Sequence, residues 1–475
     1  MNALLTVSSF LFPLITFPYV SRILLPEGIG KVAMGTSVIA YFALLARLGI
    51  PLYGIRACAG VRDDREKLSQ TVQELFLMNL FMAAVSYILL FITLFSVSRF
   101  REEHTLYLIM SISILLEALG VEWLYKALEE YTYITCRSIF FKVVALAATF
   151  LFIHTQQDYI RYGAITILAV SASNLLNFYN LRKYISFKPQ WPYRFTPHMK
   201  PVLYFFATTC AIIIYTQLNT VILGFLKTNA DVGYYDSAMK IKNILVSIVT
   251  ALGAVLLPRA SYYVKQGLME EFSRICTKAI QFVCFLALPL TVYFILFAEQ
   301  GIYFLSGNNF AGAILPLQIV MPTLFLIGLT NIIGLQILIP LGKERDVFYS
   351  VTGGGIVDLI ACFLLIPPYG TVGAAVSNLV AELTVLVIQY YYARKCKDLF
   401  DIHKALQQVQ YKKIIPALLV SAGIVYPCTF LAWDNIAVLL FSGTLFFSLY
   451  GAILGLLKES FFVELWQLLK RKLKR

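Results

Sequence analysis

The sequence predicts an all-α integral membrane protein of about fourteen transmembrane helices, and three observations carry that reading. Of 475 residues, 59% are hydrophobic and only 14% are charged, well below the roughly 25% charge of soluble domains. Mean hydropathy is +0.76. Apolar runs follow one another at a length of about 20 residues, which as a helix crosses a hydrocarbon layer of about 30 Å.

The runs are 2–25, 31–55, 72–97, 105–122, 132–153, 160–181, 200–226, 232–257, 277–298, 314–341, 347–366, 371–393, 412–432 and 436–457. The connectors between them are short, and none could form a soluble domain. Pro13, Pro18, Pro51, Pro289, Pro316 and Pro322 lie inside runs and read as kinks, which membrane helices tolerate.

Lysine and arginine alternate with connector parity. The second connector carries Arg56, Arg62, Arg65 and Lys67. The sixth carries Arg182, Lys183, Lys188, Arg194 and Lys200. The eighth carries Arg259, Lys265, Arg274 and Lys278, and the twelfth Arg394, Lys395, Lys397, Lys404, Lys412 and Lys413. The odd connectors "AEQGIYFLSGNNFAG", "PPYGT" and "AWDN" carry none. The positive-inside rule then places both termini in the cytoplasm of a multi-pass protein of the cell membrane. The net charge of +13 follows mostly from this asymmetry and calls for no nucleic acid. The tail "KESFFVELWQLLKRKLKR" reads as a basic amphipathic helix on the inner leaflet, with a plain topology anchor as the competing reading.

The first run is too long for a cleavable signal peptide and lacks a small-residue cleavage site. It starts at Met1 with no basic preface, which leaves room for a few residues upstream. The eight cysteines fall in runs or on the cytoplasmic side without CxxC spacing, so neither disulfides nor metal clusters are expected.

The two halves repeat. Glu27-Gly28-Ile29-Gly30 after the first run answers Asp231-Val232-Gly233 after the seventh, and "RYGAITILAVSASNLLN" answers "PYGTVGAAVSNLVAE". The offset is about six helices. An even number keeps the copies in one orientation, which makes a parallel repeat with the substrate site expected between the halves.

Charges inside the runs cost roughly 2.5–3.5 kcal/mol each on insertion scales and ask for a reason. The cationic candidates for substrate binding are Arg22, Lys31, Arg47, Arg56, Lys142, Lys240, Lys242 and Arg259. Glu117, Asp236, Asp358 and Glu382 are candidate charge partners or ion-coupling groups. Asp236, Lys240, Asn243, Ser247 and Thr250 share one helix face; so do Asn378, Glu382 and Gln389, and so do Ser8, Tyr19 and Arg22. Such stripes must face protein or water. Plainer readings compete. Lys31, Arg56 and Arg259 lie near run ends and can snorkel to headgroups. Glu74 and Glu122 suit capping or topology. Arg22, Arg47, Lys142 and Lys240 can instead form structural salt bridges to Glu117, Asp358 or Glu382.

"FPYVSRILLPEGIG", "GIPLYGIR", "LGVEWLYKALEEYTYITCRS", "DVGYYDSAMKIKN", "LGAVLLPR", "LIPLGKERDVFY" and "IPPYGTVGAA" occur in this order between about residues 8 and 395. Together they resemble the lipid-linked oligosaccharide flippases of the Wzx type. Those are polysaccharide exporters in the superfamily of the multidrug/cation antiporters and the peptidoglycan-lipid flippase. The resemblance implies two six-helix lobes, 1–190 and 191–395, followed by two additional helices and the tail over 396–475. It implies alternating access that moves undecaprenyl-diphosphate-linked oligosaccharide repeat units from the inner to the outer leaflet through a cationic central cavity. The implied partners are that substrate and the bilayer, with a coupling cation (proton or sodium) and a polysaccharide polymerase as further candidates; no cofactor or metal is implied. Arg22, Arg56, Lys240, Arg259, Lys343 and Glu344 fall on family positions. Asn219 stands where the family often has an acid, which puts ion coupling at that helix in question. Arg47 stands where a small residue is usual.

Chemistry agrees with the resemblance. A diphosphate carries about two negative charges; arginine grips phosphate oxygens in pairs and lysine adds a point charge. With the interior negative, exporting two negative charges through 100 mV gains roughly 5 kcal/mol, so an inward cation is not required. A multidrug/cation antiporter of the same superfamily is the alternative; it calls for carboxylates and aromatics in the cavity. A membrane glycosyl- or acyltransferase is not expected, because His104, His154, His198 and His403 are scattered and no DxD occurs.

Overall fold

The computed structural model describes the backbone of residues 2–473 and the side chains of residues 12–207, 209–251, 253, 256–464, 466, 467 and 470. Ser8 of the first polar stripe and the tail cations Arg471, Lys472, Lys474 and Arg475 lie outside those side chains. Among the described residues all regular structure is helical.

Among the described residues, ten helices are long and apolar enough to cross a membrane, or eleven if the bent pair Asn308–Val320 and Thr323–Leu338 counts as one span. The difference from fourteen arises where sequence-separated runs join without a helix end. Asn2–Arg47 runs through the first connector, broken at Leu25 (φ 57°, ψ 176°) beside Pro26. Glu344–Lys395 runs through "PPYGT", broken at Gly370 (φ 55°). A straight helix of 52 residues would be about 78 Å long, far beyond the hydrocarbon layer. The second of these helices therefore doubles back, and its own contacts show it. A Cβ on Gly373 would press on Leu365 and Ile366, Gly354 lies against Val385, and Gln389 Nε2 donates to Ser350 Oγ at 3.2 Å. A third difference is His104–Gly120, apolar but 17 residues long.

The chain packs as two compact units, Met1–Gly233 and Tyr234–Arg475. The division falls one helix beyond residue 190 because Thr196–Leu226 packs along the second half of Asn2–Arg47. Ser37 Oγ donates to Gln217 Oε1 at 2.8 Å, and Gly224 lies against Met34. The two motifs matched in the repeat meet directly in the first unit. A Cβ on Gly30 would overlap the Asn229 carbonyl, and one on Gly233 would overlap the Pro26 carbonyl.

Connector contacts follow parity, as they must when successive helices alternate in direction. In the first unit odd meets odd. Lys31 pairs with Glu103 at 2.8 Å, Tyr159 donates to Glu103 at 2.7 Å, and Arg99 donates to Asn229 at 2.9 Å. Even meets even. Arg62 pairs with Glu129 at 3.2 Å, Tyr184 donates to Glu130 at 3.1 Å, and the Ser186 amide donates to Ser69 Oγ at 2.9 Å. In the second unit Gln410 of the twelfth connector donates to Ser460 at 2.9 Å.

Helix starts at the even end use carboxylates. Asp64 accepts from the amides of Glu66 and Lys67, both at 3.1 Å, satisfying donors that the first turn cannot. The Lys67 amide is the main cause that holds the Asp64 carboxyl below the usual range. The tail helix Ser460–Leu473 is not free on a surface. Phe461 packs on Phe282 and Phe285, and Glu464 is ion-paired with Lys278.

Candidate functional site

A set of buried charges lies in the second unit. Lys242, on Asn229–Lys265, is 4% exposed; Asp358 is 0%, Glu382 7% and Asn378 5% exposed. The hairpin at Gly370 builds this set. Its register sets 354 against 385 and 350 against 389, so 358 falls opposite 381 and beside Glu382. Lys242 Nζ lies 3.5 Å from Asn378 Oδ1 and within electrostatic reach of Glu382 and Asp358. Cys362 Sγ sits 3.8 Å from Asp358. Tyr235 is 2% exposed, lies near both carboxylates, and its hydroxyl has no hydrogen-bond partner among the described residues. Two carboxylates and one ammonium thus share one buried neighbourhood. Charges buried in a low-dielectric interior are costly unless they are paired.

Lys240, two residues from Lys242, points elsewhere. It is ion-paired with Asp236 one turn earlier, both side chains about a quarter exposed.

In the first unit Arg47 pairs with Glu117, and Ser171 Oγ lies 3.4 Å from the other Glu117 oxygen. A salt bridge at Arg47 was the plainer reading of that residue, and the geometry contains it. Lys31 has Glu103 at 2.8 Å, Glu27 at 3.4 Å and the Tyr159 ring at 4.7 Å. Arg22 is exposed and donates to the Pro18 carbonyl one turn back. Arg56 and Arg259 are exposed, Lys142 is half-buried, and Asn219 is buried at 3% exposure. Lys242, Asp358 and Glu382 come together, as do Arg47 with Glu117 and Lys240 with Asp236.

Three polar groups escaped the sequence reading. Tyr235 lies inside the quoted "DVGYYDSAMK", but the carboxylates near it, Asp358 and Glu382, come from a hairpin far along the chain. Arg137 is 4% exposed and bonded to Glu122 at 2.8 Å and to Ser173; it stands in "YITCRS" of a quoted motif, which was the available signal. His198 was set aside as scattered, yet it joins Glu74 at 2.8 Å and Tyr53 at 2.8 Å. Glu74 also accepts from the Arg194 amide at 2.7 Å. Glu74 therefore holds the sixth connector against Arg65–Ser96, a topological duty.

A family model described as "Polysaccharide biosynthesis protein" matches residues 1–264. A curated relative, "Putative O-antigen transporter" of Escherichia coli (strain K12), is 24% identical over 401 residues, covering 82% of this chain and 94% of that protein. The fold is similar to that of a solved structure titled "Lipid II flippase MurJ, inward closed conformation", with a TM-score of 0.74 at 14% identity, covering 96% of this chain and 99% of that one. It is also similar to an inward-facing multidrug resistance transporter of the MATE family, with a TM-score of 0.66 at 14% identity over 82% of this chain and 95% of that one.

Proposed function

Because the chain belongs to the polysaccharide biosynthesis protein family, we propose that it is a flippase carrying undecaprenyl-diphosphate-linked oligosaccharide repeat units from the inner to the outer leaflet of the cytoplasmic membrane. The family match over residues 1–264 carries this reading, and the supply of cations inside the spans supports it. Both termini are cytoplasmic in this reading, and transport is by alternating access.

The eight cationic candidates differ in exposure and in the carboxylates beside them. Lys31, Arg47 and Lys240 already have carboxylate partners, and Lys242 is buried with two. Arg22, Arg56 and Arg259 are exposed. On exposure, these three come first as ligands for diphosphate oxygens, followed by half-buried Lys142. Asp358 and Glu382, both buried and near Lys242, are the candidates for a coupling proton or sodium ion. A polysaccharide polymerase is the partner that would take the cargo on the outer face.

The test is reconstitution of the full chain in proteoliposomes with a polyprenyl diphosphate sugar. Transbilayer movement of that lipid is expected. Arg22→Ala and Arg56→Ala should each slow it at least tenfold, the factor that about 1.4 kcal/mol of lost binding gives. Arg22→Lys should restore little, because lysine lacks the paired donors. Efflux of an organic cation, with no movement of the lipid, would instead establish the multidrug antiporter that shares this fold.

Topology has its own measurement. Ser306, in an odd connector, is buried and bonded to Ser237 and would make a poor probe. Its neighbour Asn309 is exposed, as is Lys188 in the sixth connector. In a background without native cysteines, an impermeant thiol reagent added to intact cells should modify Asn309→Cys and spare Lys188→Cys. The reverse labelling would invert the orientation and the direction of transport with it.

A further inference from the structure

A second polar site lies in the same unit and holds no charge. Thr323–Asn331 continues into a π-helical turn, Ile332–Leu338. Such turns are rare and cluster at functional places, because the extra residue breaks the regular hydrogen-bond ladder. Gln336 on this turn is 1% exposed, and neither its Nε2 nor its Oε1 has a hydrogen-bond partner among the described residues. The same holds for Asn331 Oδ1. Both amides converge on Gly253 of Asn229–Lys265. A Cβ there would overlap Asn331 Oδ1 and lie 2.6 Å from Gln336 Nε2. Glycine thus lets both amides approach the backbone at 253, where a side chain would collide with them. On the other side of the turn Gln389 Oε1 is also buried and unmet.

Buried polar groups in proteins are nearly always satisfied, so three unmet atoms on two amides beside one glycine ask for an occupant. Amides are neutral and offer both donors and acceptors. They suit a hydroxyl, which also donates and accepts, and they offer no charge to a diphosphate. We propose that Asn331 and Gln336, over Gly253, form a binding site for a hydroxyl group at the π turn. The hydroxyl is either a sugar hydroxyl of the cargo or an internal water. The sugar source rests on the function proposed above; the water source does not.

The experiment uses the purified full chain and Gln336→Met, which keeps the side-chain length and removes both polar atoms. Two readouts are taken. The first is the melting temperature with a polyprenyl diphosphate bearing a disaccharide, compared with the same lipid without sugar. The second is prompt radiolytic oxidation of Cys276, which is 1% exposed with its Sγ 3.7 Å from the Gln336 carbonyl. Bulk radicals reach such a thiol poorly, so its oxidation reports water held inside. A sugar-dependent rise in melting temperature that Gln336→Met removes assigns the site to the cargo. Cys276 oxidation in the parent chain that falls several-fold in the variant, with any sugar-dependent rise unchanged, assigns it to water. If the variant alters neither readout, the amides are unmatched polar atoms in a dry core and the proposal is overturned. Asn331→Leu repeats both readouts if Gln336→Met does not fold. A sugar-free lipid that produces no stabilisation speaks against the flippase reading and leaves the oxidation readout intact.

Discussion

Lys242→Met is expected to destabilise the second unit by about 3–5 kcal/mol, the range seen when one partner of a buried ionic set is removed. The substitution keeps most of the side-chain volume, so the loss is electrostatic rather than a packing defect. Lys242 is 4% exposed, and Asp358 and Glu382 are 0% and 7% exposed. Without the ammonium, both carboxyls must take up protons or stay charged in a medium that solvates them poorly. Asn378 then faces a methyl group where it had a cation 3.5 Å away. The double variant Lys242→Met with Glu382→Gln should recover much of the loss, because one buried acid remains and can stay protonated. The measurement is the temperature at which the monodisperse peak of detergent-solubilised protein is lost, for parent, single and double variants. A single variant as stable as the parent would mean the three groups do not act as one charge set. The coupling role proposed for Asp358 and Glu382 would then lose its physical basis.

Gly30→Ala should be the most damaging one-carbon change in the first unit, at about 3 kcal/mol, the upper end of ordinary overpacking. Most overpacked cores yield by turning a side chain. Here the added methyl meets the Asn229 carbonyl oxygen and, at 2.9 Å, the Gly233 amide nitrogen. Both are backbone atoms, so a helix must move. Gly233→Ala meets Pro26 in the same way and should behave alike. Gly355 is the control, since a Cβ there meets nothing within 4 Å, and alanine should be neutral or slightly stabilising in a helix. Thermal unfolding of the three variants gives the comparison. Equal midpoints for Gly30→Ala and Gly355→Ala would refute the close approach.

These contacts show what a linear reading can and cannot reach. Composition and run length determined the solvent, because about 20 apolar residues in succession have few uses outside a bilayer. Lysine and arginine parity determined the alternation of ends, and the odd-to-odd and even-to-even contacts agree with it. The repeat motifs around Gly30 and Gly233 were legible as a pair, since the pattern of acid, aliphatic residue and glycine recurs at one offset. The family was legible too, in seven motifs spread over most of the chain.

Pairing within the membrane was legible only in part: Arg47 with Glu117 was among the plainer readings, and the others were not. Periodicity puts Lys240 on a polar stripe and says nothing of which carboxylate it meets; the structure gives it Asp236, one turn away. Lys242 looked like a neighbour with the same duty. Two residues along a helix are about 200° apart, so its partners come from Asp358 and Glu382 across a hairpin. That hairpin depends on the left-handed turn at Gly370 (φ 55°), which sequence shows only as a short "PPYGT". Helix boundaries at Leu25 and around the π turn were hidden for a related reason. Apolar composition marks which segments leave water, whereas backbone breaks are set by contacts from elsewhere in the chain. The sequence alone therefore determined the solvent, the parity of the ends and the family, because these depend on local composition and motif. Tertiary structure alone decided which charges neutralise one another and which amides stay unmet, because electrostatics and hydrogen bonding act over ångströms in space, across any distance in sequence.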